Sequence, residues 1–143
     1  MNVTMLLADS AQVAEGKLYI LGGGWSLSGP EPVPSAVAIK VEVDVHEFER
    51  IHHWELFLED ADGGLVQFDS PDGPQTIEIR GDFSASPPEG VPLGTPVDVP
   101  IAVNLGPIPL APNSRFTWRL VIDGESLTGG TASFTTRPLP VVL

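Results

Sequence analysis

Residues 37–45 read VAIKVEVDV, and this stretch decides the fold class. Ile39 and Val41 alternate with Lys40 and Glu42, so apolar and charged side chains fall on opposite faces of an extended chain. A helix would distribute the same residues around its axis, whereas a strand separates them. The stretch therefore predicts a half-buried strand of an antiparallel sheet.

The same period of two recurs along most of the chain. It is clear in residues 54–58, 76–80, 97–105 and 115–122. The chain contains 15 Gly and 15 Pro, which suits many short strands joined by turns. The longer Pro-rich connections are residues 29–34, 84–96 and 106–112. We predict an immunoglobulin-like, two-sheet antiparallel sandwich of seven to nine strands, forming one domain over residues 1–143, with a closed β-barrel as the alternative.

Two positions refine this prediction. Pro100 lies inside a strand pattern, and because proline has no N–H to donate, we expect an edge strand or a bulge there. The segment from His46 to His53 is where we expect a short turn of helix, if the chain has one.

Charge and composition exclude several functions. Nineteen acidic and seven basic residues give a formal net charge of −12, which argues against binding nucleic acid or anionic membranes. The chain has no cysteine, so disulfides, thiol nucleophiles and zinc–thiolate sites are excluded. No segment approaches the ~20 apolar residues of a membrane helix. We expect a soluble, cytoplasmic protein without a cofactor.

Two stretches resemble known patterns. Residues 6–13, LLADSAQV, followed by residues 16–25, GKLYILGGGW, resemble the opening of a family of small uncharacterised bacterial proteins that is common in actinobacteria. Residues 110–118 look like the entry to a late strand in immunoglobulin-like domains, although Phe116 lacks the hydroxyl of a tyrosine corner and Asn113 replaces the usual glycine. The resemblance implies an all-β domain and no known activity.

Residues 22–24, a run of three glycines, follow a predicted strand and raise the question of a phosphate loop. Such loops need a helix N-terminus behind them, and here Trp25 and a Pro-rich loop follow instead. We therefore interpret the glycines as a bulge or a crossing where another backbone lies close, with Trp25 packed over them.

Histidines and carboxylates offer two weak metal sites. His46, His52 and His53 are interpreted as surface histidines at a strand connection, because alternation directs His52 away from the other two. Two acidic hairpin tips could hold Ca²⁺ if they lie side by side, although the later acidic ligand of a calcium loop is absent. The candidate ligands are Asp60, Asp62, Asp69 and Asp72, and ordinary turns are the simpler interpretation.

Residues 137–143, RPLPVVL, end the acidic chain on an apolar run. This run is either a last strand packed on its own domain or an interaction tail that adds to a neighbouring protein. The predicted contact residues are Phe57, Ile108, Leu110, Leu139, Val141, Val142 and Leu143.

The sequence contains no recognisable catalytic constellation, such as a Gly-x-Ser-x-Gly elbow. We therefore expect a non-enzymatic sandwich that works by self-association or by binding a protein partner. The alternative is a sandwich that binds a carbohydrate or Ca²⁺, using the acidic hairpin tips and an exposed tryptophan.

Overall fold

The computed structural model describes residues 1–141 as an all-β chain with one short 3-10 turn, Val45–Glu47. The strands are β1 (Asn2–Ala8), β2 (Ser10–Ala14), β3 (Lys17–Leu21), β4 (Leu27–Ser28), β5 (Ser35–Val43), β6 (His52–Glu59), β7 (Gln67–Ser70), β8 (Gly73–Thr76), β9 (Glu78–Phe83), β10 (Val97–Leu105), β11 (Arg115–Ile122) and β12 (Glu125–Thr136). The predicted all-β sandwich class is confirmed, but these twelve strands exceed the predicted seven to nine. Two of the extra strands, the two-residue β4 and the GPQT segment of β8, are too short or too polar to show any alternation.

Two open sheets form the body of the molecule. Strands β1, β5 and β10 make a three-stranded antiparallel sheet, and a five-stranded sheet has the order β4-β12-β11-β6-β9. Only the short β12–β4 pair among the pairs described is parallel. Because each sheet ends in edge strands, the sandwich is confirmed over the closed alternative.

The inner faces of the two sheets share one hydrophobic core. Ile39 and Val41 come from β5, whereas Leu56, Leu58 and Leu120 come from the facing sheet, and all are fully buried. These positions are the alternating apolar residues that predicted the strands, so the sequence pattern and the packing agree.

A bulge in β12 lies against β1, which is one edge of the three-stranded sheet. Between the pairs Arg119–Thr131 and Val121–Ser126, β12 has three more residues than β11 and bulges out of the ladder. Gly129 in this bulge has a φ of +83°, and a Cβ there would overlap the carbonyl oxygen of Val3 in β1. The bulge therefore brings β12 against β1.

The opposite edge is β10, which contains Pro100 as predicted for an edge strand. The 3-10 turn Val45–Glu47 overlaps the segment in which a helical turn was expected. Among residues 1–141, no helix is long and apolar enough to cross a membrane.

Candidate functional site: the free edge of hairpin β2–β3

Hairpin β2–β3 is a two-stranded sheet separate from the sandwich sheets. Its two-residue turn has Glu15 at a φ of 53° and Gly16 at 71°, and both positive angles belong to the type I′ turn that matches the twist of a hairpin. The backbone N–H of Asp9 donates to the carbonyls of Leu21 and Gly22 and closes the base of the hairpin. The tight turn therefore fixes one end of the hairpin, and the hydrogen bonds of Asp9 fix the other.

The side chain of Asn104, on β10, holds the hairpin. Its Oδ1 accepts the N–H of Ala11 at 3.1 Å, and its Nδ2 donates to the Ala11 carbonyl at 2.7 Å. This amide therefore pairs with the outer edge of β2 as a neighbouring strand would.

Alanines beneath the hairpin let it approach the three-stranded sheet closely. Ala8, Ala36, Ala38 and Ala11 form a second small core, against which Leu18 and Ala102 pack. Because alanine has almost no side chain, the hairpin lies close to the outer face of the sheet. This position leaves β3, rather than β2, farther from the sandwich body.

The backbone groups of β3 that point outward have no partner among the described residues. Both polar groups of Ala11 face Asn104, so the pair Ala11–Ile20 is a non-hydrogen-bonded pair of the ladder. By the same alternation, the N–H and C=O of Leu18 and Ile20 point away from β2. None of the backbone or side-chain hydrogen bonds found in residues 1–141 reaches these groups.

Two other edge strands, β9 and β10, carry devices that oppose pairing with another chain. Strand β9 presents charged side chains, and Arg80 forms ion pairs with Glu55 and Glu78. Strand β10 contains Pro100, which cannot donate a hydrogen bond. Strand β3 reads KLYIL and has only Lys17 as a charged residue.

The side chains of the hairpin are exposed as well as apolar. Tyr19 and Leu21 are 48% and 70% exposed, and Val13 and Ile20 are also exposed. Tyr19, Ile20 and Leu21 line an open groove of about 630 Å³ together with residues of β2 and Asn104. We call this surface, formed by the outward edge of β3 and its exposed side chains, the β3 edge.

The three glycines after β3 form a close crossing, as the sequence analysis expected. A Cβ on Gly22 would lie 2.7 Å from Cγ of Asp9, and the Gly24 N–H donates to the Leu7 carbonyl at 2.7 Å. The expectation that Trp25 covers them is wrong, because its ring packs edge-on to Phe134 at 5.8 Å.

An aromatic ring does cover a glycine elsewhere in the sheet. Trp54 lies directly opposite Gly81 in the β6–β9 ladder, and its indole occupies the space where a Cβ of Gly81 would stand. The wide ring compensates for the missing side chain at this position.

The interpretation of the histidines as surface residues is wrong for His52, which is completely buried. Its Nδ1 lies 2.6 Å from the Asp123 carboxylate and its Nε2 lies 2.7 Å from the Glu47 carbonyl oxygen. Each ring nitrogen of His52 therefore lies within hydrogen-bond distance of an oxygen acceptor. The ring also stacks on Phe83 at 5.2 Å.

The net effect on Asp123 is a lowered pKa. Burial alone raises the pKa of this carboxyl, but the hydrogen bonds from the His52 ring and the His53 N–H, with the charges of both rings, outweigh it. Both nitrogens of the buried His52 are occupied, so this ring has no free atom to offer a substrate. His53 is exposed and contacts Asp82 at 2.6 Å.

The structure does not bring the four candidate calcium ligands together. Asp60 Oδ1 instead accepts the N–H groups of Asp62 and Gly64 at 2.9 and 3.0 Å, as an ordinary turn does. Within the described part of the chain, the group of three or more possible ligands with converging atoms is Asp44, His46 and Glu47. Of these three residues, only His46 was named among the predicted candidates.

Three of the predicted contact residues are half-buried. Phe57 lies beneath the guanidinium of Arg119, 5.1 Å from its ring centre, on the outer face of the five-stranded sheet. Ile108 and Leu110 pack against the main core and line a small cavity of about 50 Å³. Both side chains are half-buried because the Pro-rich loop folds back over the sandwich, and their role as contact residues stays a prediction.

The end of the chain is exposed as far as it is described. Leu139 and Val141 are 62% and 84% exposed, and β12 ends at Thr136, so a last strand packed on its own domain is not seen in residues 137–141. Val142 and Leu143 lie outside the described residues.

The three tryptophans are buried or half-buried, so the exposed tryptophan of the carbohydrate alternative is absent. The 50 Å³ cavity beside Trp25 is also far below the ~300 Å³ of a typical small-molecule site. Neither feature favours a sugar ligand.

The β3 edge was missed by the sequence analysis, although a signal was present. The motif GKLYILGGG was noted for its resemblance to a family and for its glycines, and not as a contact surface. The available indication was the apolar stretch of residues 18–21, which carries no charged residue after Lys17.

Comparison with known proteins places the chain in a family. No curated protein and no solved structure matches it. One family model, described as a family of unknown function (DUF6941), matches residues 3–131, a range that includes the whole of hairpin β2–β3. The expected resemblance to an uncharacterised family is confirmed at this level, and the chain belongs to the DUF6941 family of unknown function.

Proposed function

We propose that this protein is a non-enzymatic binding module that pairs the β3 edge with an extended segment of protein. The observation that carries the proposal is the unpaired backbone of Leu18 and Ile20 beside exposed apolar side chains. Strand addition to such an edge gives affinity through main-chain hydrogen bonds and specificity through alternate side chains.

The anchoring of the hairpin supports the proposal. An edge strand binds well when it is already held in the bound conformation, because less conformational entropy is lost on binding. The Asn104 side chain and the type I′ turn hold β2–β3 in this way. The outer face of the five-stranded sheet is a poorer candidate for a binding surface, because Arg119 already covers Phe57 and pairs with Glu59.

The proposal also includes the origin and the cellular location of the protein. A bacterial origin is supported by the resemblance of residues 6–25, and a cytoplasmic location is the expectation drawn from the sequence. The apolar tail, including the exposed Leu139 and Val141, is a second surface that such a partner could contact.

A synthetic peptide tests strand addition directly. The peptide EGKLYILG, which copies residues 15–22, is added to ¹⁵N-labelled protein while amide resonances are followed. We expect the largest shifts at Leu18 and Ile20, because their N–H groups gain acceptors. The control is the same peptide N-methylated at the positions of Leu18 and Ile20, which cannot form the ladder.

The two peptides give outcomes that decide the proposal. Saturable shifts on β3 with the first peptide and none with the second support strand addition. Equal shifts with both, or shifts confined to residues outside the hairpin, would overturn it.

A further inference from the structure

We propose that the occupant of the β3 edge is the β3 edge of a second copy of this chain, paired antiparallel about a two-fold axis at Tyr19. The inference rests on the proposed function and names its partner. It produces a continuous ribbon with the strand order β2-β3-β3-β2.

The backbone of β3 is complementary to itself in this register. A two-fold axis at Tyr19 places Leu18 of one copy opposite Ile20 of the other, and these are the residues whose N–H and C=O point outward. Each such pair exchanges both of its backbone hydrogen bonds. No shift of register is needed, because both residues lie one position from Tyr19.

The exposed side chains also match. The two Tyr19 residues face each other in a non-hydrogen-bonded pair, the closer of the two cross-strand arrangements. Leu21, which is 70% exposed, comes opposite Lys17, whose aliphatic stem can cover it. Aromatic and apolar cross-strand pairs of this kind stabilise antiparallel sheets.

The charges around the edge are complementary in the same register. Lys17 is the charged residue of β3, and opposite it stand Leu21 and then Gly22 of the second copy. The carboxylate of Asp9 lies against Gly22, so this register puts Lys17 of one copy and Asp9 of the other at the same end of the paired strands. This matters in a chain with a net charge of −12, because two copies repel each other overall.

Cysteine cross-linking tests the register, since the chain has no cysteine of its own. In Tyr19→Cys, the two thiols lie opposite each other at the axis, within reach of a disulfide. The matched control is Gln12→Cys, which lies opposite Tyr19 on the far strand of the same hairpin and is also exposed. We expect mild oxidation to cross-link Tyr19→Cys at least tenfold faster than the control.

The mass of the unmodified protein provides the second measurement. Sedimentation over a concentration series is expected to show a 15.2 kDa monomer converting to twice that mass. Lys17→Glu should raise the concentration needed for conversion about tenfold or more, while far-ultraviolet circular dichroism confirms that the variant is folded.

These outcomes separate the inference from the function on which it rests. A monomer at all concentrations, with equal cross-linking of both cysteine variants, overturns the second copy as partner. If EGKLYILG still shifts Leu18 and Ile20, the binding function stands and a segment of another protein is the occupant. If neither occurs, both are wrong.

Discussion

Replacing Gly129 with alanine should destabilise the sandwich more than replacing a turn glycine of positive φ that has open space around it. Gly129 has a φ of +83°, and its missing Cβ leaves room for the Val3 carbonyl of β1. An added Cβ would overlap that oxygen and lie 3.1 Å from the Val3 carbonyl carbon. Because a close C···O contact is ~3.3 Å, β1 and the β12 bulge must move apart.

The magnitude has two parts. A side chain in the left-handed region costs about 1–2 kcal/mol, and overpacking a close contact costs a further ~1–3 kcal/mol. The matched control is Gly124→Ala in the β11–β12 turn, where φ is +79° but no atom lies within 4 Å of the added Cβ. The control should therefore show only the first part.

Urea and thermal unfolding of the two variants measure the difference. For a domain of this size, ~1 kcal/mol corresponds to roughly 3–4 °C in Tm, so Gly129→Ala should melt roughly 3–12 °C below Gly124→Ala. Equal losses in the two variants would refute the account of the bulge as the closure between β12 and β1.

Three further substitutions test individual contacts. Asp123→Ala should lower stability at pH 7 by about 1–2 kcal/mol, a modest cost because the carboxylate is partly exposed. Because folding lowers the pKa of Asp123, its contribution to stability is present above the pKa of the unfolded carboxyl and is lost as the pH falls through the folded pKa. The free energy of unfolding should therefore fall less steeply with acid in the variant than in the parent. An unchanged slope would contradict the pairing with His52. Asn104→Ala should speed hydrogen exchange of the Ala11 amide about tenfold while leaving global Tm within a few degrees, and an unchanged exchange rate would mean that the amide clamp is not formed in solution. Asp60→Ala should lower the free energy of unfolding by about 1 kcal/mol, because two backbone N–H groups of its turn lose their acceptor. Added Ca²⁺ should leave the Tm of the parent and of the variant unchanged. A rise in the Tm of the parent alone would favour the calcium alternative.

The sequence predicts the central strands well, because burial of one face imposes a period of two. Residues 37–43 lie in β5 with Ile39 and Val41 in the core, whereas Val45, predicted to continue the strand, begins the 3-10 turn. Turn residues are also informative, since Asp123 and Gly124 take positive φ angles that aspartate and glycine tolerate.

The features that the sequence did not predict depend on contacts between residues far apart along the chain. Whether Ile108 lies on the surface depends on where a Pro-rich loop folds, and no local period reports that. The burial of His52 depends on Asp123, which lies 71 residues away along the chain. The β3 edge is free because Asn104 takes the other side of the hairpin, and that contact spans 93 residues.

Hydrogen exchange at Leu18 and Ile20 tests the central claim, that β3 is a free strand edge used for contact. In dilute protein both amides should exchange fast, because they point outward without an acceptor, whereas Tyr19 in the ladder to Gln12 should be protected. At concentrations where the mass doubles, the same two amides should become protected while Tyr19 changes little. Protection of Leu18 and Ile20 in the dilute monomer, or fast exchange of both at every concentration and with the peptide bound, would contradict the account.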